Sequence, residues 1–241
     1  MAITDNLAAS WSLDNALTDA SGNGNTLTNI NTVDINATGI VNQGADFEFG
    51  SSQYLYCEDS ASLSITGDIS VSLWFKFESH TANVSLLTKA DRADRDPYDW
   101  SVKWETSNTI IFQWSSNGSF TGTRSRFTCP LTPTDGVWYH IVATADVSVP
   151  SAAMYINGSS QTVTTVLSAA TSISDSDVQT IIGADGGGNF LDGIADIVSI
   201  WSRIITSDEV TTLYNAGAGI QYPFAGGGPT AKDLSLLGVG I

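Results

Sequence analysis

Apolar and polar residues alternate in short runs along most of this chain. The clearest are ISVSLWFKF at Ile69–Phe77 and the segments 100–104, 110–114, 139–145 and 153–156, separated by Gly, Asn, Asp and Ser. A period of two places successive side chains on opposite faces of a strand, so each run predicts a β-strand. Many short strands divided by turn residues predict a two-sheet sandwich. Asn157-Gly158, between Met154-Tyr155-Ile156 and a Thr- and Val-rich stretch, has the sequence of a two-residue hairpin turn. Residues 162–177, rich in Ser, Thr and Val, read as an edge strand and loop. The sequence shows no internal repeat.

One segment departs from this pattern. From Gly183 to Gly219 a Gly-rich turn leads into a strand and then a single short helix. Alternation puts Ile194, Asp196, Val198 and Ile200 on one strand face and Ala195, Ile197, Ser199 and Trp201 on the other. Thr206 and Glu209 have the spacing of a capping box, and Gly217 is positioned to close the helix.

Composition narrows the reading further. The chain has 241 residues, 42% of them hydrophobic, enough for one large core without a disulfide framework. Nine Lys and Arg stand against 25 Asp and Glu, a formal net charge of −16. That balance argues against nucleic acid or an anionic membrane as partner, because phosphate binding needs clustered cations. Cys57 and Cys129 are the only cysteines, and their separation leaves pairing open. The opening MAITDNLAAS has no basic or apolar leader pattern, which predicts no signal peptide, and no run reaches the length of a membrane span. Residues 1–225 read as one domain, and 226–241 as a Gly-rich linker with an apolar tail.

Several ordered segments together resemble the LamG-like, concanavalin A-like jelly-roll family. They are Trp11-Ser12-Leu13-Asp14, Asp19-Ala20-Ser21-Gly22-Asn23-Gly24-Asn25, Gly44-Ala45-Asp46-Phe47-Glu48-Phe49, Ser52-Gln53-Tyr54-Leu55, ISVSLWF from Ile69, Trp138-Tyr139-His140-Ile141-Val142 and Met154-Tyr155-Ile156-Asn157-Gly158, with the 183–219 segment closing the order. The resemblance implies an all-β fold: a two-sheet antiparallel jelly-roll sandwich with one short C-terminal helix. It also implies a structural calcium ion where the N-terminal turn meets the late strand, on Asp19, Asn23, Gly24, Asn25 and Asp196. Calcium takes oxygens from carboxylates, amides and carbonyls, which these residues supply. The same Asp and Asn residues also suit turns shaped by side-chain-to-backbone bonds.

The aromatic residues bear on ligands. Sugar rings stack on exposed aromatic faces, and Tyr98, Trp100, Trp104 and Trp114 form the candidate glycan surface if exposed. Burial in the core is the favoured reading for the three tryptophans, as it is for Trp11, Trp74, Trp138 and Trp201. The acidic stretch 91–99 reads as a surface loop whose aspartates pair with Arg92 and Arg95. Catalysis is disfavoured: a glycosidase of this superfold needs closely spaced acids such as E-x-D-x-E, and no two of the five Glu fit that pattern. His140, inside a strand, takes a structural role by default.

The expected function is therefore a non-catalytic structural and binding protein. The first expectation is a virion surface component, a capsid decoration or fibre protein with weak glycan binding. Its tail 229–241 is expected to dock on a virion or surface-layer protein or on another copy in a homo-oligomer. A secreted or cell-surface carbohydrate-binding module is the alternative, and a glycoside hydrolase the least supported. The expected location is the virion surface or extracellular space.

Overall fold

The structure, a computed structural model, describes residues 1–224. The tail expected to dock on a partner lies outside the described residues. Two eight-stranded antiparallel sheets form the predicted sandwich. The first runs β13 (Ser159–Ser160), β12 (Ser151–Ile156), β11 (Trp138–Asp146), β6 (Ile69–Phe77), β16 (Gly193–Trp201), β4 (Gln43–Phe47) and β3 (Asp34–Thr38), with β1 (Leu7–Trp11) beside β4 on the same edge of β16. The second runs β14 (Thr164–Ser168), β10 (Arg124–Pro130), β9 (Thr109–Ser115), β8 (Tyr98–Glu105), β7 (Val84–Ala90), β15 (Thr180–Ile182), β5 (Tyr54–Cys57) and β2 (Thr28–Ile30). The five clearest sequence runs are thus β6, β8, β9, β11 and β12. Asn157 and Gly158 both have positive φ, 50° and 74°, as the predicted hairpin requires. The Ser/Thr/Val stretch supplies β14, an exposed edge strand.

The core between the sheets takes one face of each strand: Val71, Leu73 and Phe75 from β6, Trp100, Val102 and Trp104 from β8, and Phe112 and Trp114 from β9. Cys57 and Cys129 are buried there as free thiols. Burial pushes the Cys57 thiol up to about 12 and the Cys129 thiol to about 11, so both stay protonated and inert.

Strand β16 corrects the simple alternation. Its register slips between Asp196 and Ser199, and Ile197 has φ of 45°. This bulge brings Ala195 into the core with Val198 and Ile200 and takes Asp196 out of their row. Asp196 is nevertheless fully buried. Its Oδ2 accepts from the Ile40 and Val41 N–H groups at 2.8 and 3.1 Å, and its Oδ1 from the Ile197 N–H at 2.7 Å.

The helix α1 (Ser207–Tyr214) opens with the capping box: Thr206 Oγ1 accepts from the Glu209 N–H, and the Glu209 carboxylate accepts from the Thr206 N–H at 2.7 Å. Asn215, in left-handed backbone, closes the helix rather than Gly217, because a short 3-10 turn follows. Val210 and Leu213 pack on Val142 and Trp201 from the outer side of the first sheet. Tyr214 stacks there on Trp74 and His140, with centroids 5.7 and 6.1 Å away. Of the tryptophans expected in the core, Trp11, Trp74 and Trp201 are buried, Trp74 under this helix. Trp138 is half-exposed with Lys76 over its ring. Among the described residues no helix is long and apolar enough to cross a membrane.

Candidate binding face on the second sheet

The helix covers part of the outer face of the first sheet, whereas the outer face of the second carries loops 91–97, 116–123 and 184–192. Strand register fixes what this face presents. Thr88, Ser101, Gln113 and Arg126 form one cross-strand row. Val102, Phe112 and Phe127, one residue along, point into the core.

A salt-bridged knot ties the loops to this face. Asp185, buried in the third loop, accepts from Lys103 Nζ at 2.5 Å, Ser85 Oγ at 2.8 Å, Asn189 Nδ2 at 2.9 Å and the Gly187 N–H at 2.8 Å. Arg95 Nε adds an ion pair at 3.3 Å. Burial, the largest single influence, would raise the Asp185 carboxyl, but the Lys103 ammonium together with the hydrogen bonds from Lys103, Asn189 and Ser85 outweighs it and holds the carboxyl well below the carboxylate range. Lys103 in turn is lowered by burial and raised by Asp185. The loops meet so closely that a Cβ at Gly186 would run into the Asp91 carbonyl and stand 2.6 Å from the Arg95 nitrogen.

Two cavities flank the knot. One of about 200 Å³ is bounded by Tyr54, Arg92, Ile181, Ala184, Gly188 and Phe190. Tyr54 and Phe190 are half-buried, 6.4 Å apart and tilted by 30°, and Arg92 lies 4.6 Å over the Tyr56 ring. The other, about 120 Å³, is bounded by Arg95, Lys103, Glu105, Gln113, Phe120 and Arg126. A larger groove of about 440 Å³ beside Asn23, Ser62 and Asp68 has no aromatic ring in its walls.

The expected glycan surface needs correction. Trp100, Trp104 and Trp114 are buried in the inter-sheet core, because they occupy the inward positions of β8 and β9. The Trp104 and Trp114 indoles donate to the carbonyls of Leu131 and Ala170, both at 3.0 Å. Tyr98 is on the outer side but also buried, its hydroxyl 2.8 Å from Ser101 Oγ and its ring beneath Phe120 at 5.4 Å. The ring-bearing pocket uses Tyr54 and Phe190 instead.

The acidic loop also differs from expectation. Asp91 and Asp94 cap backbone N–H groups within the loop, and Asp96 accepts from the Phe120 N–H at 2.7 Å. Arg95 is thereby left to pair with Asp185 and Arg92 to lie on Tyr56. Asp99 is buried in β8, where its carboxylate accepts from Ser174 Oγ at 2.5 Å.

Of the candidate calcium ligands, Asp19, Asn23 and Asn25 come together. Asp19 accepts from the N–H groups of Ser10, Ser21 and Asn25, and Asn23 Nδ2 donates to the Leu7 and Ala8 carbonyls at 3.0 and 2.9 Å. Three oxygens, of Ala8, Asp19 and Ser62, stand within 3.0 Å of Asn25 Nδ2, which has only two hydrogens to give. Gly24 turns the chain between them with φ of 85°. Carboxylate, carbonyl and hydroxyl oxygens are the donors a hard cation takes, and here they accept hydrogen bonds from backbone and amide N–H groups, as a side-chain-shaped turn also requires. Asp196 stands apart, committed to the 40–41 turn.

The sequence reading missed another group of acids. Asp46, Glu48 and Glu78 have ligand atoms within 4.8 Å of one another. Burial, then Glu78 and Glu48, push the Asp46 carboxyl up to about 6. Pairing of β4 and β6 with β16 makes the group, which spacing along the chain does not reveal. None of the cavities described above is lined by these residues.

Comparison with known proteins agrees with this architecture. The family model Laminin_G_3, concanavalin A-like lectin/glucanases superfamily, matches residues 49–211. The chain belongs to that superfamily. No curated protein sequence matches it. Among solved structures, it is similar to domain 4 of AbnA, a GH43 extracellular arabinanase from Geobacillus stearothermophilus, in complex with arabinotriose: 20% identity, TM-score 0.66, covering 89% of this chain and 98% of that one. It is also similar to the binding domain of Paraclostridial Mosquitocidal Protein 1, at 16% identity and TM-score 0.65, covering 90% of this chain and 53% of that one. The binding domain of Botulinum Neurotoxin DC in complex with SialylT gives 16% identity and TM-score 0.66, covering 89% and 52%. The chain thus spans about half the length of these toxin binding domains.

Proposed function

We infer that this domain is a non-catalytic saccharide-binding module and that its ligand lies on the outer face of the second sheet. The cavity between Tyr54 and Phe190 carries this reading. It offers two half-buried rings, an apolar floor of Ile181 and Ala184, and Arg92 at the rim as hydrogen-bond donor, the combination a sugar ring with one apolar face requires. The relative crystallised with arabinotriose makes arabino-oligosaccharides the first probe. In calorimetric titrations against an array-selected glycan or arabinotriose, Tyr54→Ala and Phe190→Ala are each expected to weaken binding about tenfold or more. Their melting temperatures should stay close to the parent's. Unchanged affinity in both variants would refute the site.

Calcium is proposed as a structural ion held by Asp19, Asn23 and Asn25 with the Leu7 and Ala8 carbonyls, tying the 19–25 turn to β1. The parent should melt lower in excess EDTA than in calcium, and Asp19→Asn should melt alike in both. Equal melting of the parent in the two buffers would remove the ion from the account. Display on a virion surface is supported by the acidic chain and by a binding face free of the helix. An extracellular setting suits the same face. The anchoring role of 229–241 belongs to residues outside the description.

A further inference from the structure

The distribution of cations says what kind of saccharide the face takes. The chain has nine Lys and Arg, and five of them, Arg92, Arg95, Lys103, Arg124 and Arg126, belong to the outer face of the second sheet or its loops. Three surround one ring: Arg95, Lys103 and Arg124 lie 5.3, 5.3 and 4.9 Å from the centre of Phe120. Two carboxylates pair with the group, Asp185 with Lys103 and Arg95, and Glu105 with Arg126 at 3.1 Å. Four cations, Arg95, Lys103, Arg124 and Arg126, therefore face these two acids. The nearby Asp96 is committed to the Phe120 N–H.

Arg124 is the residue left over. Among the described residues, its Nε and Nη1 are buried without a hydrogen-bond partner, as is the Nε of Arg126; the Gln113 Oε1, an acceptor in the same neighbourhood, bonds to none of them. The Arg124 guanidinium lies over the Phe120 ring, and an aromatic ring is no substitute for a hydrogen-bond acceptor at its N–H groups. Buried unpaired donors are costly, and retaining several on one face calls for an acceptor. In a chain of net charge −16, this is also the surface where an anion meets local attraction, since repulsion from distant acids is screened beyond about 8 Å at physiological salt.

We propose that the module binds an anionic saccharide, with a carboxylate or sulfate group entering the cavity of about 120 Å³ walled by Arg95, Lys103, Phe120 and Arg126, beside the Phe120 ring over which Arg124 lies. This deepens the saccharide-binding reading and rests on it. The neighbouring cavity at Tyr54 and Phe190 takes a sugar ring of the same chain. Asn189 borders the first cavity and Phe190 the second, so the two subsites adjoin. Guanidinium groups suit this task because their planar donor fork matches the oxygens of carboxylate and sulfate.

The test is a printed array of neutral, carboxylated and sulfated glycans, followed by titration of the best acidic hit and its neutral counterpart. Parent, Arg124→Gln, Arg126→Gln, Arg124→Lys and Tyr54→Ala are compared, each checked for an intact thermal transition. Acidic glycans are expected to dominate the hits, with the carboxylated and sulfated sets separating the two sources of charge. Each Gln variant should weaken the acidic ligand about tenfold and leave the neutral counterpart unchanged, and Arg124→Lys should recover part of the loss. Hits confined to neutral glycans and lost in Tyr54→Ala would overturn the anionic assignment while the saccharide reading stands. Acidic hits indifferent to both Gln variants would overturn it too, and an array without hits would end both.

Discussion

Replacing Asp185 with Asn is expected to destabilise the domain by about 3–5 kcal/mol, the cost of breaking a buried ion pair by removing one partner. Asp185 is 4% exposed and Lys103 7%, so neither charge can turn to water. In the Asn variant the Lys103 ammonium loses its carboxylate and Arg95 loses its anchor. For a domain of this size the melting temperature should fall by about 10 °C or more. The double variant Asp185→Asn, Lys103→Met should recover a good part of the loss, because the buried charge is then gone rather than stranded. A melting temperature within about 2 °C of the parent for Asp185→Asn would show that the knot does not bear on stability. Since Asp185 also holds the loop behind Phe190, binding at the Tyr54 pocket should weaken with it.

The elements legible from sequence were those with a local code. β6 alternates along its whole length, Asn157-Gly158 suits only a left-handed turn, and Thr206 with Glu209 cap their own helix. The fold followed from the ordered segments. What escaped were features set by distant parts of the chain. Nothing around Ile197 announces a bulge, because a β-branched residue at φ of 45° is held there by the surrounding sheet and not by its own preference. The inward burial of Trp100, Trp104 and Trp114 depends on which strand face meets the opposite sheet, and alternation gives the two faces without naming the inner one. The binding face draws Tyr54, Arg92, Arg126 and Phe190 from four separate segments. Only the register of β5, β15, β7, β8, β9 and β10 and the closure of the 91–97 and 184–192 loops bring them together.

Asp196 and His140 should make stability respond to pH in opposite senses. His140 is 1% exposed, with Nε2 at 2.9 Å from Ser72 Oγ and Nδ1 unpartnered, and burial pushes it down from 6.5 to about 3. Between those values the unfolded chain takes up a proton that the folded one refuses, so His140 lowers stability as pH falls, by up to about 5 kcal/mol. For Asp196, burial outweighs three backbone N–H donors and pushes the carboxyl from 3.8 up to about 7. Here the folded state keeps a proton that the unfolded state gives up, so stability falls as pH rises through that window, by up to about 4 kcal/mol. Between about pH 4 and 6.5 the two effects largely cancel. Asp196→Asn removes one of them, and its unfolding free energy should then drop on acidification from about pH 6.5, less steeply below about pH 6, where the raised carboxyl of the half-buried Asp46 acts in the same sense as Asp196 did. In His140→Phe the remaining slope should have the reverse sign, stability rising as the solution is acidified towards about pH 4. Urea unfolding across that range, with slope rather than absolute stability as the readout, separates these effects from any packing cost of the substitutions. Parallel profiles for Asp196→Asn and the parent would mean that the Asp196 carboxylate stays ionised in the fold, its three N–H donors prevailing over burial.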